Sequence, residues 1–255
     1  MRRIIEVLGF GALLVVAGCV SMSAKPDRDV VMVVNDMGDA EGAADLQKVF
    51  DALEMVQAGR IEAAVDGPLA EVIDKYEARY ADRQGRVFSA EGVGDALVYA
   101  ALSLNEVGHG AGTTDEKIEV LGPAWAKAYW VRGYAYGEMG RYVDARAELE
   151  KAVALAPMNS QYLSELAFTY VRSQDWGTML SLYKKAENAV GISADGDAVD
   201  DLSCVALRGQ GYALVEMMRL DEAEAAYRAC LKLKPDEPKS LGELGYIEEL
   251  RKRPF

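Results

Sequence analysis

The sequence predicts an all-α fold in which antiparallel helix pairs stack into a solenoid, an α-α superhelix. Three observations predict it. Small residues recur at Gly133, Ala167, Gly211 and Gly245, spaced 34, 44 and 34 residues apart, so a 34-residue unit repeats with an insertion behind its second copy. Within each copy, apolar residues fall into two runs of helical spacing. Gly140 divides the runs of the first unit, and Pro157 and Pro235 close the first and last. Units of this length cannot bury an apolar face alone, and stacking them creates a continuous core.

With the recurring small residue at place eight, the units span 126–159, 160–193 and 204–237. Place twenty holds Ala145, Met179 and Ala223, and place twenty-seven holds Ala152, Ala186 and Cys230. Place twenty-four is bulky: Leu149, Tyr183 and Tyr227. Small residues at eight and twenty let the two helices of a unit approach closely, while the bulky residue packs into a neighbouring helix. Proline then stops the second helix. The middle unit departs from this pattern, with Gln174 in place of the turn glycine and no closing proline.

This pattern resembles the tetratricopeptide repeat over roughly residues 125 to 248. The resemblance is carried by Trp130-Val-Arg-Gly133-Tyr-Ala-Tyr136, Gly140-Arg-Tyr142-Val-Asp-Ala145, Ala152 through Pro157, and Leu220-Asp-Glu-Ala223 through Pro235. The family's tryptophan at place four is Tyr129, Leu163 and Leu207 here, and its leucine at place seven is Arg132, Leu166 and Gln210. The resemblance implies a non-catalytic module whose first helices line a concave protein-binding face.

The remaining elements follow in chain order. Residues 1–18 read as a signal peptide, with Arg2 and Arg3 ahead of an apolar run from Val7 to Gly18 that is too short to span a membrane. Val16-Ala17-Gly18-Cys19 resembles a bacterial lipoprotein box, which implies cleavage before Cys19, acylation of that cysteine and a membrane partner reached through the lipid. The alternative is an ordinary signal sequence followed by a stray cysteine. No aspartate follows Cys19, which in such lipoproteins implies sorting to the outer membrane, facing the periplasm. Residues 19–40 read as a lipidated tether around Val30–Val34, which is an ordered piece of linker, a short strand or an apolar strip laid on the helical array.

Residues 41–122 predict an irregular helical region of degenerate repeats. Its helices are a stripe from Leu46 to Val56, a segment Ile61–Tyr80 interrupted at Gly67-Pro68, and Gly92–Leu104, capped by Ser89 or Glu91. A glycine-rich loop, Gly108–Thr114, precedes the repeat domain 123–255. That domain ends in a capping helix, 238–251, whose basic end suits a helix C-terminus.

Composition narrows the function. A formal net charge of −13 repels nucleic acid. The single histidine, His109, argues against histidine-based triads and multi-histidine zinc sites. No phosphate-binding loop or nucleophile elbow occurs, and the reading calls for no cofactor or metal. The aspartates of the 191–201 insertion lack calcium-loop spacing and read as a solvated loop with an N-cap for the next helix. Cys204 and Cys230, at places one and twenty-seven of the last full unit, come together if its helices are antiparallel. They then form a disulfide in an oxidising compartment or stay separate buried thiols.

Place nine carries Tyr134, Phe168, Tyr212 and, in the capping helix, Tyr246. Beside them stand Trp130, Arg172 and Arg208, with Lys127 at place two. Together these predict an aromatic groove for another protein's peptide, with arginines as added anchors. Packing of the same rings against adjacent helices, or their coverage by the Val30–Val34 strip, is the competing reading. Tyr134 and Phe168 stand where the lysine-asparagine carboxylate clamp of some relatives would need asparagine. The function predicted is an interaction scaffold assisting assembly of envelope machinery. An enzyme using carboxylates in 40–120 and a self-associating structural lipoprotein are the alternatives.

Overall fold

The computed structural model describes residues 3–4, 31–34, 40–82, 85–109, 117–194 and 196–252. Cys19 lies outside the described residues, as do residues 110–114 of the glycine-rich loop. Among the described residues, no helix is long and apolar enough to cross a membrane.

The protein is a helix-turn-helix solenoid of the tetratricopeptide type. Its regular part comprises α5 (Ala124–Glu138), α6 (Tyr142–Leu155), α7 (Ser160–Phe168), α8 (Trp176–Ser193), α9 (Asp197–Glu216), α10 (Leu220–Leu233) and α11 (Pro238–Lys252). Helix α7 runs on into a 3-10 turn, Thr169–Ser173. Second helices α6, α8 and α10 all begin at place seventeen, so the register read from small residues is the register of the fold.

The turn between first and second helices is the same in all three units. Gly140, Gln174 and Met218 share place fifteen and all adopt positive φ, at 73°, 54° and 57°. The left-handed conformation is therefore imposed by the helix pair, whether or not glycine is there to adopt it freely. Helix α7 is capped by Asn159, whose side chain accepts from the Tyr162 N–H at 3.1 Å. Asp175 caps α8 in the same way, accepting from the Thr178 N–H at 3.0 Å.

The insertion differs from the expected loop. Without a closing proline, α8 runs 18 residues where α6 and α10 run 14. Helix α9 begins seven residues before its unit, and Gly196 stands at its N-cap without a side-chain cap. Most of the 191–201 segment is thus helical, with Asp197 and Asp200 in the first turn of α9, where the dipole favours acids.

The front region holds α1 (Ala40–Gln57), α2 (Ile61–Ala64), α3 (Ala70–Tyr80) and α4 (Val93–His109). Between α2 and α3 the predicted interruption is a π-turn, Val65–Leu69, containing Gly67 and Pro68. A four-stranded sheet, which the helical reading of this region did not include, lies among them. Its strands are β1 (Arg3–Ile4), β2 (Val31–Val34), β3 (Arg86–Ser89) and β4 (Lys117–Leu121), in the order β1-β2-β4-β3. Both neighbours of β4 run parallel to it. The β3–α4–β4 segment is accordingly a β-α-β crossover, and Val31–Val34 is a strand and not plain linker. Strand β1 falls within the expected signal peptide.

Ile118, Glu119, Val120 and Leu121 are all buried, as a central parallel strand covered on both faces requires. The buried Glu119 carboxylate accepts a hydrogen bond from the Tyr80 hydroxyl at 3.2 Å. Ser89, expected as a helix cap, instead ends β3 and donates to the Gly122 carbonyl at 2.8 Å. Asp95, from within α4, accepts from the Glu91 N–H at 2.9 Å. One apolar cluster joins the sheet to α1 through α6, and a second fills the space among α7 to α11.

Candidate functional site

The first helices α5, α7, α9 and α11 present place nine in register, and the four aromatics there differ in exposure. Phe168 is 56% exposed and Tyr246 46%, whereas Tyr134 and Tyr212 are half-buried. The ring of Tyr212 meets Trp176 edge-on at 5.9 Å, which holds its orientation. Phe168 and Tyr246 thus offer apolar surface, whereas Tyr134 and Tyr212 are partly taken up by packing against the core.

The other expected anchors are already engaged. Trp130 stacks on Tyr162 at 5.8 Å, and its indole N–H is buried without a hydrogen-bond partner. Arg172 sits in the 3-10 turn and lies over the ring of Tyr142 at 4.4 Å, directed at a second helix instead of along the aromatic row. Arg208 pairs with Glu237 at 3.1 Å at the α10–α11 turn. Glu237 also accepts from the Ser240 N–H at 2.6 Å, capping α11. Lys127 pairs with Glu91 at 2.9 Å. These cations are already engaged within the protein, so they are not free anchors for a partner.

Sequence reasoning passed over the carboxylates of the same face. Burial and the neighbouring Glu138 push the Glu165 carboxyl above the ordinary carboxylate range. Burial, with Glu138 and then Glu165, raises the Tyr134 hydroxyl. Burial, with Glu216 and then Glu243, raises the Tyr212 hydroxyl. The signal that could have found them is positional. Glu138 and Glu216 share place thirteen, and Glu165 and Glu243 share place six.

Cys204 and Cys230 are disulfide-bonded, with Cα atoms 4.7 Å apart, joining α9 to the last turn of α10. Among the described residues no cluster of three or more His, Cys, Asp or Glu is arranged to hold a metal ion. The buried carboxylates of the front region have structural partners: Asp45 pairs with Lys75 at 2.5 Å and Glu119 binds Tyr80.

A helix-pair solenoid with an aromatic row along its first helices defines a protein of the helical-repeat class. The tetratricopeptide-repeat family models match residues 126–159 and 209–237. Those two matches are the first unit and most of the third. Similar solved structures include a MamA structure, AMB-1, at 19% identity and TM-score 0.48, covering 83% of this chain and 85% of that one. The tetratricopeptide domain of Arabidopsis OM64 is 18% identical with TM-score 0.42, over 49% of this chain and 94% of that one. The first such domain of Spaghetti (RPAP3), bound to an HSP90 peptide, is 22% identical with TM-score 0.43, over 50% of this chain and 96% of that one. No curated protein matches the chain.

Proposed function

We propose that this protein is a non-catalytic adaptor that holds a segment of another protein in the groove along its first helices. The observation that carries the reading is the in-phase row Tyr134, Phe168, Tyr212 and Tyr246, with Phe168 and Tyr246 about half exposed. Isolated exposed apolar residues are ordinary, but large rings repeated at one place of a stacked array form a continuous strip. Solenoids use such extended surfaces for binding. The amino-terminal reading adds location: cleavage before Cys19 and its acylation would anchor the adaptor to the outer membrane, facing the periplasm. There it would assist assembly of envelope machinery.

Crosslinking in intact envelopes, followed by capture of the full chain, tests both parts. The adaptor reading expects a partner captured by the wild type and lost from a Tyr134→Ala, Phe168→Ala, Tyr212→Ala variant that keeps its helical circular dichroism. Retention of the same partners by the variant would make the row core packing. The anchor reading expects labelled fatty acid on the wild type and none on Cys19→Ser, which should leave the membrane fraction. An unlabelled wild type would refute it.

A further inference from the structure

The first-helix face carries one three-residue constellation twice. At one end are Tyr134 at place nine, Glu138 a helical turn further at place thirteen, and Glu165 at place six of the following unit. At the other end Tyr212, Glu216 and Glu243 occupy the same three places. Residues four apart share a helix face, and the second carboxylate in each set comes from the next first helix. Glu138 and Glu216 are exposed, and Glu165 and Glu243 are half-buried.

The junction between these two sets is built differently. Its place nine is the exposed Phe168, and its place-thirteen residue, Arg172, is stacked on Tyr142. Its place six is Gly209, where a Cβ would lie 2.3 Å from the Tyr183 ring, so no side chain fits. Along the solenoid the face therefore reads acidic, apolar, acidic.

Some acids elsewhere in the chain are paired: Glu41, Glu148, Glu224 and Glu237 each meet a lysine or arginine. Glu138, Glu165, Glu216 and Glu243 enter no ion pair among the described residues. Arg141 and Arg219, three residues beyond Glu138 and Glu216, are committed to Asp144 and Glu222, and Arg208 to Glu237. Two carboxylates that meet no lysine or arginine attract a cation by charge and repel an anionic peptide, although the Tyr227 hydroxyl already hydrogen-bonds Glu243.

Resting on the adaptor reading above, we propose that the groove takes an extended cationic segment of a partner protein. Two lysine or arginine side chains would seat at the two Tyr–Glu–Glu sites, with an apolar side chain between them on Phe168.

The test uses the full chain and fluorescein-labelled peptides in which two lysines flank a phenylalanine at increasing spacing, with glutamate-for-lysine counterparts. The lysine series is expected to bind, more weakly as salt rises. Glu138→Gln/Glu165→Gln and Glu216→Gln/Glu243→Gln, both checked for helicity, are each expected to weaken it about fivefold. Lysine peptides that bind no tighter than glutamate peptides, or variants that bind like the wild type, would overturn the proposal. Glutamate peptides whose binding is lost in Phe168→Ala would also overturn it while leaving the groove as a peptide site. Absence of binding in every series overturns it as well, and the envelope capture then decides the adaptor reading separately.

Discussion

The ring of Tyr227 lies so close to Gly211 that a Cβ added there would stand 2.6 Å from the ring. Gly133 holds the same relation to Leu149, where the added Cβ would be 2.8 Å from Cγ. Places eight and twenty-four of a unit thus form one contact, which sets how closely its two helices approach. Gly245 occupies the same place in α11, but among the described residues a Cβ added there would meet nothing within 4 Å.

The sign of a glycine substitution at place eight should therefore depend on the unit. Gly211→Ala forces Tyr227 aside and should destabilise by about 1–3 kcal/mol, the usual cost of overpacking. Gly245→Ala meets nothing and should stabilise by up to about 1 kcal/mol through helix propensity. Urea midpoints of the two variants check this, and equal shifts would contradict the contact.

The turn at place fifteen offers a second test. Gln174 and Met218 hold positive φ with side chains that disfavour it, and both are exposed. Gln174→Gly and Met218→Gly should each stabilise by about 0.5–1 kcal/mol, the relief of left-handed strain less the flexibility that glycine adds to the unfolded chain. Thermal melting of the single variants reads it, and a lowered midpoint for both would count against the turn geometry.

The Cys204–Cys230 bond closes a loop of sequence separation 26. Constraint of the unfolded chain by a loop of that size is worth about 3 kcal/mol. Reductant should lower the denaturation midpoint of the wild type and leave that of a Cys204→Ala/Cys230→Ala variant unchanged. Insensitivity of the wild type would mean that the bond does not form.

Glu165 makes stability depend on pH in a direction opposite to that of a salt-bridged acid. Burial and Glu138 raise its folded-state value, so the folded chain binds the proton more readily than the unfolded one. Its contribution falls as pH rises from the ordinary carboxylate value of 4.5 through the raised one, and stays unfavourable above it. Glu165→Gln should therefore raise stability at neutral pH, and the gain should vanish below the ordinary value, where the acid is neutral in both states. Denaturation of both proteins across pH 4 to 8 measures the difference.

Much of the repeat domain was legible because its governing interactions are local. Gly133, Gly211, Pro157 and Pro235 are positions where one backbone conformation or one close approach decides the residue, so their spacing reports the register directly. The cysteine pair was legible as one of two outcomes for the same reason, since antiparallel helices bring places one and twenty-seven together. The aromatic row at place nine could be read from spacing, but not the engagement of its neighbours. Arg172 over Tyr142 and Arg208 beside Glu237 are choices among long flexible side chains, made by whatever surrounds them. The carboxylates at places six and thirteen repeat as regularly as the aromatics, yet acids on amphipathic helices are so common that their phase drew no notice.

The sequence by itself determined the helical-repeat class, the unit length and phase, and the row at place nine, because periodic burial writes itself into composition at a fixed interval. Only the tertiary structure decided the rest. The runs Arg86–Ser89 and Lys117–Leu121 are too short for their period to separate strand from helix, and they are strands because they pair with each other across the α4 crossover. Most of the 191–201 segment became helix because nothing stopped α8 before Ser193, and α9 could begin early where its first-turn aspartates meet the dipole. Pairing across long sequence separations and competition for a common partner depend on where other elements lie. A reading made along the chain holds no information about that.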